Sequence, residues 1–195
     1  MDNFLNLSYI GGFMRALTKK IQSIAGFKEI TIAFLFSIVI ALFSKVAIYL
    51  PFTPVPLLLQ NTLCLSLGLF LGKRVGALSV FFFLIEGMLG LPVFAGGGAT
   101  IAYLLGPTGG YLIGYLVGSY LTGMVYERKK DTMGAFLALG TGSIAVYLFG
   151  FARLSLLIGG QKAFLLGVLP FLATDFLKIG IVAKGLEWTK KNHTV

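Results

Sequence analysis

Asp175 and Lys178 stand three residues apart in LPFLATDFLKIGIVAKGLEW, a segment otherwise apolar enough to cross a bilayer. On insertion scales a charge at the centre of such a span costs about 2.5–3.5 kcal/mol, so two of them need a reason. Positions i and i+3 share one helical face. The acid and the amine can therefore point into the same space between helices, and an anionic or hydrogen-bonding solute suits that space. The plainer alternative is a self-neutralising pair that only packs. The other polar groups within apolar segments are Lys45, Gln60, Asn61 and Glu86. Gln60 follows the proline turn PFTPVP directly, where a loop swinging across a cavity mouth would place it. Glu86 lies near the outer end of the third apolar run, just before GLPVFAGGG, and its alternative reading is a rim residue facing water. Lys45 lies near an end of the first run and can snorkel.

Catalysis finds no constellation in this set. HExxH is absent, no Ser stands beside a His, and the one histidine, His193, is in the polar tail. Glu86 and Asp175 are the two acids that could pair as carboxylates, but nothing supplies a metal or a nucleophile, and no residues have metal-ligand spacing. No GxxxxGK[ST] is present, so ATP-powered transport would take its hydrolysis from another subunit. Cys64 is the single cysteine, within an apolar run, so no intramolecular disulfide forms. No cofactor is expected.

The elements that must position these residues follow from composition. The chain has 195 residues, 57% hydrophobic and 12% charged, with mean hydropathy +0.91. Soluble domains average about 25% charged residues, and a soluble fold of this composition would leave large apolar patches wet. An all-α integral membrane protein is expected. A β-barrel would alternate apolar and polar residues over about ten positions, whereas these runs are continuous. Six runs are read as spans: Ile30–Leu50, Leu57–Leu71, Val75–Leu89, Tyr111–Tyr126, Met133–Phe151 and Ala163–Leu186. Three prolines in PFTPVP end the first. The loop ARLSLLIGGQK is expected between the last two.

The net charge is +9, yet nucleic acid is not the expected partner, because the cations fall in short clusters between apolar runs. With the N-terminus inside, the inner segments hold Arg15, Lys19, Lys20 and Lys28, then Lys73 and Arg74, then Arg128, Lys129 and Lys130, then Lys184, Lys190 and Lys191. The outer loops hold only Arg153 and Lys162. The positive-inside rule then places both termini in the cytoplasm of a multi-pass protein of the cytoplasmic membrane. No cleaved secretory signal is evident. Residues 1–29 repeat apolar positions at helical spacing (Ile10, Phe13, Met14, Leu17, Ile21, Ile24), which reads as an amphipathic helix on the inner membrane surface. Residues 30–187 form the membrane domain and 188–195 a basic tail.

Small residues recur at four-residue steps: Ala33–Ser37–Ala41, Gly68–Gly72–Gly76 and Gly110–Gly114–Gly118. Such faces let helix backbones approach closely in lipid, and for the glycine sets ordinary packing within the chain is the expected use.

PFTPVPLLLQNT, GLFLGKRVGALSVFFFLIEGMLGLPVFAGGG, LLGPTGGYLIGY and LPFLATDFLKI, in this order and spacing, resemble the BioY family. These are the biotin-binding membrane subunits (S components) of energy-coupling factor transporters. The resemblance runs from about residue 30 to about residue 185. It implies a six-helix S-component bundle that captures biotin from outside. It further implies docking onto a transmembrane coupling subunit bearing two ATPase subunits, with toppling in the membrane to release the vitamin inside. The family's polar ligand residues on the last helix match Asp175 and Lys178. Its first helix commonly meets the coupling subunit through an AxxxA face, which here reads Ala33, Ser37 and Ala41, the serine being a small departure.

The chemistry of biotin fits these residues. Its ureido ring carries two N–H donors and a carbonyl, its thiophane ring is apolar, and its valerate ends in a carboxylate. Asp175 or Glu86 can accept from the ureido N–H groups. Lys178 can meet the valerate or the ureido carbonyl, and Gln60 or Asn61 offers both donor and acceptor. Phe94, Tyr111 and Tyr115 can supply apolar walls. The competing readings are an S component for another vitamin, a stand-alone permease for a small solute, and an intramembrane enzyme.

Overall fold

The computed structural model describes residues 26–48, 51 and 53–192, apart from the side chains of 57 and 189–192. The amphipathic stripe from Ile10 to Ile24 and the end of the basic tail lie outside them. The described chain is mostly helical. Helix α1 covers Gly26–Ser44. A two-stranded antiparallel ribbon follows, β1 (Ala47–Ile48) on β2 (Leu57–Leu58), with Ala47 opposite Leu58. Then come α2 (Gln60–Met88), a 3-10 turn at Ala95–Gly97, α3 (Thr100–Leu104), α4 (Gly109–Arg128), α5 (Thr132–Ile158), α6 (Gly160–Gly167) and α7 (Leu169–Asn192). Four stretches among the described residues are long and apolar enough to cross a membrane: Gly26–Ser44, Gln60–Met88, Thr132–Ile158 and Gly160–Trp188.

The first apolar run is helical only to Ser44, not to Leu50. Proline lacks an N–H and drives its preceding residue toward extended geometry. Pro51, Pro54 and Pro56 therefore pull the chain out of the helix early, and the flanking residues pair as the ribbon. Ser44 secures the exit: its hydroxyl donates to the carbonyl of Ala41 at 2.7 Å and to that of Val93.

Helix α2 is a hairpin. Gly72 has φ +83° and ψ 167°, a conformation essentially closed to residues with a Cβ. In a straight helix Gly68 and Gly76 would lie about 12 Å apart. Instead a Cβ on Gly76 would stand 2.6 Å from the Cα of Gly68. The chain therefore reverses at Gly72, and the two arms correspond to the separate runs Leu57–Leu71 and Val75–Leu89. Beside the reversal, Lys73 Nζ pairs with Glu127 Oε2 at the end of α4, 2.7 Å away.

Helix α4 is the centre of the bundle, packed against both α2 and α5. Its Gly110–Gly114–Gly118 stripe faces α5, where added Cβ atoms would meet the backbone of Phe149, Val146 and Gly142. These glycines serve packing within the chain. Helix α5 runs on to Ile158, beyond the expected Phe151. ARLSLLI contains no helix breaker, so the turn shrinks to Gly159 (φ +85°). The last apolar run is divided at Val168, just before Pro170, into α6 and α7. Helix α7 packs on α5, α6 and α2, which brings Asp175 inward.

Candidate functional site

One turn of α7 presents Asp175 and Lys178 to the same cleft, as their spacing predicts. Lys178 Nζ donates to Asp175 Oδ1 at 2.9 Å, with the side chains only 15% and 8% exposed. The other carboxylate oxygen accepts twice: from Asn61 Nδ2 at 2.8 Å, at the start of α2, and from Tyr147 Oη at 2.6 Å, on α5. A buried carboxylate thus has three donors, which is what burial of a charge demands. Lys178 also donates to the carbonyl of Leu58 in β2, at 3.3 Å. The ammonium therefore links α7 to the ribbon.

The cleft is lined by these groups together with Tyr111, Tyr115, Val146 and Phe171, and is covered by Val55, Pro56 and Leu58. Its enclosed volume is about 30 Å³, room for one or two waters, and about 330 Å³ of empty space when the open mouth is counted. A second, smaller cleft adjoins it. Val55, Leu58, Tyr111 and Tyr115 line both, while Gln60, Ala95, Tyr103 and Thr108 line the second alone. Gln60 is fully buried. Neither atom of its amide has a hydrogen-bond partner among the described residues, nor does Asn61 Oδ1. A buried polar atom left unpaired costs about 1–3 kcal/mol. One end of this slot thus holds a paired charge cluster and the other an unsatisfied amide.

The surrounding elements hold the slot. Thr53 Oγ1 donates to the carbonyl of Leu166 at 2.6 Å, tying the proline segment to α6. Tyr111 Oη donates to the carbonyl of Gly167 at 2.7 Å, fixing the α6–α7 junction over α4. Thr100, a β-branched residue, has φ +76°, which costs about 1–3 kcal/mol. It starts α3, which brings Tyr103 to the second cleft.

Five expected residues therefore converge on the first cleft (Asp175, Lys178, Asn61, Tyr111 and Tyr115), and Gln60 on the second. Others do not. Phe94 lines neither cleft: its ring stacks on Tyr103 at 5.1 Å, meets Phe83 edge-on at 5.4 Å, and sits where Gly87 leaves room. Glu86 lines neither cleft. Its Oε1 accepts from Ser37 Oγ at 2.5 Å. Ala33, Ser37 and Ala41 do not form an outer docking surface in this conformation. Ala33 and Ser37 are fully buried and Ala41 nearly so, because the stripe faces the chain's own helices. The exposed side of α1 carries Phe27, Leu35 and Leu42 instead.

Sequence reasoning missed Tyr147, Phe171, Tyr103 and the cover residues Val55, Pro56 and Leu58. Tyr147 had a signal: a phenol amid apolar residues of α5 needs a partner when buried. The cover residues had only the prolines.

Comparisons with known proteins converge on one group. The BioY family profile matches residues 14–192. A probable biotin transporter BioY of Pyrococcus horikoshii is 36% identical over 163 residues, 82% of this chain and 96% of that one. The biotin transporter BioY of Thermotoga maritima is 36% identical over 140 residues, covering 70% and 81% of the two chains. Among solved structures, the S-component for biotin from an ECF-type ABC transporter superposes with a TM-score of 0.74 at 28% identity. That match covers 86% of this chain and 93% of the other.

Proposed function

The chain belongs to the BioY family, and from that premise we propose that it takes up biotin across a membrane as a substrate-capture subunit. It is a transport protein and not an enzyme. The observation that carries this reading is the slot under the ribbon, with Asp175, Lys178, Asn61 and Tyr147 at one end and the unpartnered Gln60 at the other. Biotin is elongated and polar at both ends, with an apolar middle that suits Tyr111 and Tyr115. Lys178 provides the positive charge, Asp175 the strong acceptor, and Gln60 a donor and an acceptor for the far end. The enclosed space is smaller than the guest, so entry requires Val55, Pro56 and Leu58 to move outward.

The membrane arrangement is part of the proposal. The reversal at Gly72 makes two spans of α2. With α1, α4, α5 and the α6–α7 unit this supports six. The cation clusters then support cytoplasmic termini in the cytoplasmic membrane. The absence of a P-loop supports a separate coupling subunit with two ATPase subunits as the source of energy. Glu86 and Phe94 take a structural role in this reading.

Equilibrium binding of labelled biotin to the purified protein tests the core claim, with thiamine and riboflavin as competitors. Saturable biotin binding resisted by neither competitor is expected; absence of biotin binding, or displacement by another vitamin, defeats it. Uptake into liposomes by the isolated chain without ATP would favour a stand-alone permease. Cysteines placed at Lys129 and Lys162, probed with an impermeant thiol reagent in intact cells, test the topology: only the second should react.

A further inference from the structure

A groove of about 730 Å³ runs along the outside of the bundle between the start of α5 and the middle of α7, lined by none of the residues of either cleft. Its wall is apolar, built from Met133, Phe136, Phe176, Leu177 and Ile181. Phe136 and Phe176 meet edge-on at 5.6 Å and close its inner end. Gly180 opens its middle, because no atom lies within 4 Å of where a Cβ would stand. The other end is polar, with Thr132 and Lys184. From Phe176 to Lys184 the helix rises about 12 Å, close to half of the roughly 30 Å hydrocarbon core of a bilayer. The groove therefore has the depth of one leaflet.

Its charge is confined to that one end and is unanswered. Among the described residues Lys184 makes no ion pair, and the facing acids do not reach it. Asp131 is held by the N–H of Gly134 at 2.6 Å and pairs with Lys129 at 3.4 Å. Glu187, one turn beyond Lys184, is not within ion-pair distance of it. One cation at the mouth of an apolar channel of leaflet depth complements a molecule with one anionic head and one long tail.

We propose that this groove holds the acyl chain of an anionic phospholipid, with its phosphate on Lys184. A lysine near the membrane surface favours anionic over zwitterionic lipid by about fivefold. The groove's lipid is separate from the transported ligand, so biotin binding reads out independently.

The purified full-length chain is incubated with phosphatidylglycerol or phosphatidylcholine of matched acyl chains, and retained lipid is counted by native mass spectrometry. One phosphatidylglycerol per chain is expected, favoured about fivefold over phosphatidylcholine. Lys184→Gln should abolish the preference and keep a neutral lipid. Gly180→Trp, which fills the groove, should lose both, and both variants should still bind biotin. Equal lipid retention by all three proteins means annular lipid only and overturns the proposal. So does a wild-type chain that keeps no lipid, or a groove that cross-links to a second copy or to a partner subunit in the presence of phosphatidylglycerol. Should a variant fail to fold, the wild-type melting temperature decides: it must rise more with phosphatidylglycerol than with phosphatidylcholine.

Discussion

Removing the two charges of α7 together separates a binding pair from a packing pair. Asp175 is 8% exposed in its side chain and takes donors from Lys178, Asn61 and Tyr147 at 2.9, 2.8 and 2.6 Å. Asp175→Asn leaves the Lys178 ammonium buried without a counter-charge, and Lys178→Met does the same to the carboxylate. Breaking one side of a buried pair costs about 3–5 kcal/mol of stability. Removing both leaves no unpaired charge, and such replacements are often neutral, so the double variant should recover most of the loss. Binding should behave differently. Each charge-assisted contact to biotin contributes at least about 1.5 kcal/mol, so each single variant should bind at least about tenfold more weakly. The double variant, though restored in stability, should bind no better than either. The assay is thermal melting in detergent beside equilibrium binding of labelled biotin for all four proteins. A double variant that melts and binds like wild type would refute the ligand role and leave a pair that only neutralises itself.

Gln60→Leu removes two buried unpaired atoms, so the melting temperature should hold or rise while biotin affinity falls by about tenfold, equivalent to one hydrogen-bonded group left unanswered; unchanged affinity would remove Gln60 from the site. Ala33→Trp forces a large ring onto a fully buried position and should lower stability by at least about 1–3 kcal/mol, whereas Leu35→Trp on the exposed side of α1 should leave melting and biotin binding unchanged. Equal melting of the two would mean that the stripe is not buried. The Asp131 carboxyl is held below its ordinary range, first by the Gly134 N–H and then by Lys129. Its contribution is therefore present above the ordinary carboxylate range and lost as pH falls through the folded value. Asp131→Ala should flatten the acid limb of a melting-temperature profile, and an unchanged limb would exclude the cap as a source of acid sensitivity.

Features set by local spacing were legible. The acid and amine of α7 share a face because i and i+3 must. The glycine stripe of α4 packs because small residues at i, i+4 and i+8 leave a flat strip. The reversal at Gly72 follows from reading Leu57–Leu71 and Val75–Leu89 as separate spans with Lys73 and Arg74 between them. What spacing does not carry is which distant groups meet. Tyr147 lies 28 residues from Asp175, and Leu58, whose carbonyl Lys178 reaches, lies 120 away. Nothing local in α5 distinguishes the phenol that bonds the acid from one that caps a backbone carbonyl, as Tyr111 does. The ribbon was missed for a different reason: proline patterns state where a helix stops, and the pairing afterward depends on two residues on either side of an eight-residue excursion.

The stripe on α1 shows that periodicity fixes which residues share a face and not what covers that face. Ala33, Ser37 and Ala41 do share a face, but a small-residue face is satisfied as well by a neighbouring helix of the same chain as by a partner. The deciding information lay in two residues that fitted poorly when considered singly. Ser37 broke the small apolar pattern, and Glu86 was a carboxylate in an apolar run that could be read either as a ligand residue or as a rim residue facing water. A hydroxyl buried in lipid-facing architecture needs an acceptor, and a half-buried carboxylate such as Glu86 gains from a donor. Ser37 Oγ has the Phe34 carbonyl at 2.7 Å within its own helix and Glu86 Oε1 at 2.5 Å across to α2. That bond joins the α1 stripe to the second arm of α2, and Glu86 lines neither cleft. The charged end of the slot is thereby left to the acid and amine of α7.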